Sequence, residues 1–175
     1  MREPKSMYIK ESGSGMQDIL RALQFLSQSQ VLVGIPEGAG ADHGGMSNVA
    51  LACLHTNGSP VSKIPPRPFL EPAIEEAKED IAERMLEAAR DAFAGDLAAA
   101  ADQLDMAGFI GENAAKGYFG SGHHAANAPI TVHGGWMRNR VSGKPVCVRG
   151  KGSSTPLLDT GSLRNSIIHI VETKG

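Results

Sequence analysis

The sequence predicts an α+β domain in which a small mixed sheet packs against two or three helices. One of those helices is long, acidic and amphipathic, and an extended basic loop or hairpin forms an arm. Three observations carry this reading. Short β-branched runs lie near both ends of the chain, at Val31–Ile35 and Ile167–Glu172. Between them, apolar residues recur at helical spacing from Ile74 to Ala115. The charge is also segregated: Glu71 to Glu112 holds twelve acidic residues against three basic ones, whereas Asn113 to Leu158 has no acid at all. That second stretch carries Lys116, Arg138, Arg140, Lys144, Arg149 and Lys151.

With 175 residues the chain is long enough for one domain with its own core. Few aromatics make that core aliphatic and alanine-rich, and the many glycines and prolines predict long irregular stretches. Residues 1–15 are polar and patternless and are expected to form a flexible tail, with 16–175 as a single domain. Ser14 and Gln17 have capping-box spacing, and Met16, Ile19, Leu20, Leu23 and Leu26 follow on a helix ending near Ser27–Ser29. Pro36 stops the Val31–Ile35 strand. The glycine-rich loop from Glu37 to Gly45 lacks the Lys-Ser/Thr ending that a phosphate cradle needs. Ser47 or Asn48 caps a helix over Val49–Leu54, apolar nearly all round and therefore expected to be buried, and Asn57-Gly58 ends it.

The most distinctive stretch is Ile64-Pro65-Pro66-Arg67-Pro68-Phe69-Leu70-Glu71-Pro72. Its prolines hold φ at about −65° and push the preceding residues into extended geometry, giving a stiff strut. Pro72 falls where a helix begins, so the strut delivers Arg67 and Phe69 to fixed places and launches the longest helix. Ile74, Ala77, Ile81, Met85, Ala88 and Ala92 form its apolar face, Gly95 breaks or bends it, and Leu97, Ala101, Leu104, Gly108, Gly111 and Ala115 resume the pattern. Gly117 to Thr155 has no sustained periodicity. Thr131-Val132 and Val146-Cys147-Val148 are read as the two arms of a hairpin with Arg138 to Gly143 near its tip. Asp159 or Thr160 then caps a short helix over Gly161–Ser166 before the closing strand.

Catalytic and metal readings weaken on inspection. Asp159-Thr160-Gly161 also occurs in aspartic proteases, whose chemistry needs two such carboxylates, and this chain has one copy and no all-β pattern. A small hydrolase built on Asp159 or the histidines is the rival from another class. His123, His124, His133 and Cys147 fit no metal-ligand spacing. Cys53 and Cys147 read as reduced thiols. No catalytic residue, cofactor or metal is therefore expected. Trp136 lies alone among glycines and reads as a packing anchor. The net charge of −2 argues against tight nucleic-acid binding. No leader-like segment opens the chain and no apolar run nears membrane-spanning length, so neither secretion nor a membrane partner is expected.

Taken in order, five pieces resemble a known family: Val31–Pro36, Asn48-Val49-Ala50 leading to Asn57-Gly58, Ile64–Leu70, Asn127–Thr131 and Pro156–Ile167. The chain is similar to the small neck, tail-completion or virion-morphogenesis proteins of tailed bacteriophages from about Val31 to Ile170. The resemblance implies a non-enzymatic virion subunit, made in the host bacterial cytoplasm, that forms a homo-oligomeric ring at the head–tail junction. Genomic DNA would pass through the lumen without specific binding, and the neighbours would be neck, connector and tail-tube or tail-terminator proteins. A tail terminator or minor tail component is the alternative. Val132 to Thr155 is longer than the corresponding piece of that family, so no role carries over to it. The residues expected to serve assembly or its interfaces are Arg67, Phe69, Trp136, Arg138, Arg140, Arg149, Lys151, Asp159 and Arg164.

Overall fold

In the computed structural model, residues 15–38, 46–120, 123–139, 142–154 and 161–173 are described. Helix α1 (Gly15–Gln28) leads directly into strand β1 (Ser29–Gly34). β1 pairs with the last strand, β4 (Ile168–Thr173), with Leu32 opposite Ile170 and Gly34 opposite Ile168. This sheet is a two-stranded antiparallel ladder, not the mixed sheet expected from sequence. The other strand pair, β2 (Gly134–Arg138) with β3 (Pro145–Arg149), forms a separate antiparallel hairpin.

Helix α2 (Asn48–Asn57) starts as its sequence requires: the Ser47 hydroxyl accepts from the Ala50 N–H, and Gly58 ends it at φ 69°. It is not buried all round. Only Asn48 is fully enclosed, because α2 lies on the surface and packs Leu51 and Ala52 inward while Cys53 is exposed. A tight loop then reverses the chain, with Ser59 and Ile64 exchanging backbone hydrogen bonds of 2.8 and 2.9 Å. The proline strut comes back across Gly58, where a Cβ would sit 2.7 Å from Ile64 O and Pro66 N. Glycine is required there by both its conformation and its neighbours.

The strut launches a short helix, α3 (Leu70–Glu76), which breaks at Ala77 before α4 (Lys78–Phe93). The expected single helix is thus two, and the longest helix is α5 (Leu97–Tyr118). Ala77 has φ −91° and ψ 5°, yet its N–H still reaches Ala73 O at 3.1 Å and its carbonyl accepts from Ile81 at 3.0 Å. The ladder survives as a kink. Gly95 at φ 89° makes the α4–α5 turn, and the Asp96 carboxylate caps α5 by accepting from Ala99 N. Along α5 the small residues admit close neighbours. A Cβ on Gly108 would lie 2.6 Å from the His169 ring, and one on Gly111 would lie 3.1 Å from both Ile74 and Val33.

Thr131-Val132 is not a strand. It lies within the short helix α6 (Pro129–His133), started by Pro129 and stopped by Gly134 at φ 74°. The first hairpin arm is therefore Gly134–Arg138, while the second falls where it was expected. The last helix, α7 (Ser162–Asn165), has Gly161 at its N-cap, which offers no side-chain cap; Asp159 and Thr160 lie outside the described residues. The main core joins Phe69, Ala73, Ala115, Phe119, Leu163 and Ile167, and a second small cluster seats Ala22 of α1 against Ala92 and Ala100.

Candidate assembly surfaces

The proline strut works as an internal hub. Arg67 is only 7% exposed, and its backbone N–H donates to His55 O. Its Nε and Nη2 donate to the carbonyls of Ala125 and Ala126 at 2.8 and 2.9 Å. One guanidinium therefore ties α2, the strut and the segment that leads into α6. Two residues on, Phe69 is 3% exposed and its ring sits 4.7 Å from that of Phe119. Both side chains are committed within the chain, as the stiffness of the strut predicts.

Between this hub and the hairpin lies a cleft of about 620 Å³. Its walls include His55, Ile64 and Arg67 on one side and Met137, Val148 and Lys151 on the other. The hairpin is attached through α6, with Lys151 N–H donating to Thr131 O and Gly152 N–H to Val132 O, each at 3.0 Å. Burial, followed by the positive field of Arg67 and Lys151, pushes the His55 ring below its ordinary 6.5. Its Nδ1 is buried without a hydrogen-bond partner among the described residues. His124 is lowered too, chiefly by burial and against the help of the Tyr118 carbonyl. The Tyr118 ring lies tilted against His123 and edge-on to His124. Among the described residues, no group of three or more His, Cys, Asp or Glu side chains is placed to hold a metal ion.

Strand pairing divides the hairpin into two faces. Met137 and Val148 line the cleft. The alternate residues Trp136 and Arg138, with Pro145 and Cys147 on the neighbouring strand, share the opposite face, while Arg149 at the attached end of the hairpin also borders the cleft. Trp136 is 73% exposed, so it does not anchor packing within this chain. Arg138 and Arg149 beside it are exposed as well. The turn is built by Asn139, whose side chain accepts from Ser142 N–H and whose carbonyl accepts from Gly143 N–H.

The opposite half of the molecule presents apolar surface of its own. The stripe Met16, Ile19, Leu20 and Leu23 is exposed, because α1 meets its neighbours only through the Ala22, Phe25 and Leu26 side. On α4, Met85, Leu86 and Phe93 are also exposed, although Met85 was expected on the core face. Leu86 and Phe93 are two helical turns apart. Glu79, Glu83 and Glu87 step along the adjoining flank of that helix. The outer face of the β1–β4 sheet adds Leu32, Ile168 and Ile170.

One polar cluster had no counterpart in the sequence reading. Glu112 on α5 accepts from His169 Nδ1 at 2.5 Å and from the His169 backbone N–H at 3.0 Å, and its other oxygen meets Lys116 Nζ at 2.5 Å. His169 Nε2 faces Asp105 at 3.3 Å, and Phe109 meets the ring edge-on. Partial burial disfavours the charged ring, but the hydrogen bonds to Glu112 and Asp105 outweigh it and raise the His169 pKa. Burial likewise opposes the Glu112 charge, while Lys116 and His169 hold its carboxyl below the usual range. The cluster pins β4 onto α5. The Glu112–Lys116 spacing was visible in sequence, but its partner lies 57 residues further on.

The remaining expected residues scatter. Arg164 is exposed, with Nε donating to Lys116 O, and Lys151 stands at the cleft. Arg140 and Asp159 lie outside the described residues. The structure therefore gathers Trp136 and Arg138 on one outward surface, sets Arg149 at its edge beside the cleft, and takes Arg67 and Phe69 inside. None of the helices among the described residues is long and apolar enough to cross a membrane. Comparison with known proteins finds no matching family model, curated protein or solved structure.

Proposed function

We propose that this chain is a structural subunit of a tailed-bacteriophage virion, acting in the head–tail joining or tail-completion region as a homo-oligomeric ring around the DNA channel. The reading starts from the ordered resemblance of the strut and the Pro156–Ile167 stretch to that family. The observation that carries it is the outward hairpin face: a tryptophan 73% exposed between two arginines, in a chain whose other half exposes apolar and acidic surface. Surfaces of that kind mark protein contacts. In this role the chain has no catalytic duty and no cofactor. Its partners are copies of itself and the adjoining neck, connector and tail-tube or tail-terminator proteins. DNA passes through the lumen without specific binding, consistent with the net charge of −2.

Native mass spectrometry and negative-stain imaging of the purified chain, with mass spectrometry of purified particles, test this directly. Closed rings and a fixed copy number in particles are the expected result. A monomer at every concentration, absent from particles, would refute it.

A further inference from the structure

We infer that the β2–β3 hairpin of one copy docks, Trp136 first, on the Leu86–Phe93 face of helix α4 of the next copy. The inference rests on the ring reading and names the two surfaces that the ring would join. On the hairpin, Trp136 stands opposite Cys147 in the ladder, with Arg138 two residues along its own strand and Arg149 diagonally across. All four are exposed, and neither arginine has an ion pair among the described residues. On α4, Leu86 and Phe93 are 52% and 50% exposed. Glu79 and Glu83 border them, likewise without an ion pair among the described residues, while Arg90, which lies between Leu86 and Phe93 on the same face, has its charge matched by Glu87.

Charge selects this acceptor among the exposed apolar faces. The α1 stripe is flanked by Gln17, Arg21 and Gln24, and the outer sheet face by Gln30 and Glu172, which bond each other. Helix α4 combines exposed aliphatic and aromatic area with a row of acids on its flank; the Met106–Phe109 face of α5 is exposed too, but its neighbouring Asp105 and Glu112 are engaged with His169. A cationic hairpin meeting that face buries Trp136 against Leu86 and Phe93 and brings arginine to glutamate at the rim. Because arm and acceptor are different patches, the contact is heterologous. Each copy uses one of each, and a head-to-tail contact of this kind builds a ring when its rotation closes.

Two variants dissect it. Trp136→Ala removes the arm and leaves the acceptor; Leu86→Lys blocks the acceptor and leaves the arm. Both positions are exposed, so each variant should keep the melting temperature of the dilute, unassociated wild type. By analytical ultracentrifugation each variant alone should associate at least about thirtyfold more weakly than wild type, as for an interface hot spot. Mixed in equal amounts they should form a one-to-one dimer that grows no further, since the Leu86→Lys arm still fits the Trp136→Ala face. Arg138→Glu should slow wild-type assembly and flatten its dependence on salt.

Wild-type-like rings from either single variant, or a mixture that stays monomeric, would overturn the pairing while leaving the ring reading intact. A wild-type chain that never associates would instead sink the ring reading itself. Sub-micromolar binding of a duplex oligonucleotide at physiological salt, abolished by Trp136→Ala, would overturn the inference by showing that the hairpin serves nucleic acid.

Discussion

Replacing Phe69 with alanine tests whether the proline strut is the anchor of this fold. The ring is 3% exposed and packs at 4.7 Å against Phe119, within the cluster formed by Ala73, Ala115, Leu163 and Ile167. A buried aromatic covers about 150–250 Å², and at about 25 cal/mol per Å² its removal costs about 3–5 kcal/mol once the methyl that remains is allowed for. Loss of the Phe69–Phe119 pair adds about 1 kcal/mol. Against this, Phe69 also lines a cleft of about 240 Å³ open to solvent, which lets the site relax and trims the cavity penalty. The net expectation is about 4 kcal/mol, or a melting temperature lower by about 8–16 °C in a chain of this length. Thermal unfolding followed by circular dichroism should be run in the Trp136→Ala background, where association does not add to apparent stability. Phe109→Ala is the control: that ring is half exposed, so the same area bookkeeping halves the cost to about 2 kcal/mol. A Phe69→Ala loss as small as that of Phe109→Ala would refute the anchoring argument.

Arg67→Met should cost about 3 kcal/mol, because it strips charge-assisted donors from the Ala125 and Ala126 carbonyls. Hydrogen exchange should then speed up across residues 123–133 while α4 keeps its protection; unchanged exchange there would show that the guanidinium does not hold the segment. In pH titrations by NMR, His169 should titrate above 6.5 and both His55 and His124 below it. The raised His169 proton gives stability that is full below 6.5 and lost as pH climbs through its folded value. Glu112, held low, contributes above 4.5 and loses its contribution as pH falls through its folded value, so their contact is strongest between these two pH values. His55 and His124 have the opposite dependence: what they contribute is present above 6.5 and lost as pH falls through their lowered values. His169→Asn should therefore lose most stability between pH 4.5 and 6.5, and a uniform loss across pH would contradict the assignment.

Strands β1, β3 and β4 and most helices were legible because hydrophobic period and caps agree. Ser47, Gly58, Gly95 and Asp96 each act where their chemistry places them. The Ala77 kink was not legible, since no glycine or proline marks it and the backbone ladder runs nearly unbroken. Ile130-Thr131-Val132 has the β-branched composition of a strand, but Pro129 and Gly134 bracket a helical turn that overrides it. Arg67 was conspicuous in sequence, whereas its acceptors, backbone carbonyls more than fifty residues away, carry no side-chain signature. Periodicity found the apolar stripe of α1 but could not tell whether the chain itself covers it, because a core face and an intermolecular face have the same spacing; on α4 it found the buried Ala88 and Ala92 and passed over the exposed Leu86 and Phe93.

Trp136 is the sole tryptophan of the chain, so its fluorescence reports the proposed contact without labelling. At 73% exposure, the dilute chain should emit at long wavelength and be readily quenched by acrylamide. As concentration rises, the emission should shift to the blue and quenching should fall, in step with the growth of rings measured by light scattering. Added salt should slow both changes together. Rings that form while Trp136 stays red-emitting and fully quenchable would contradict the account.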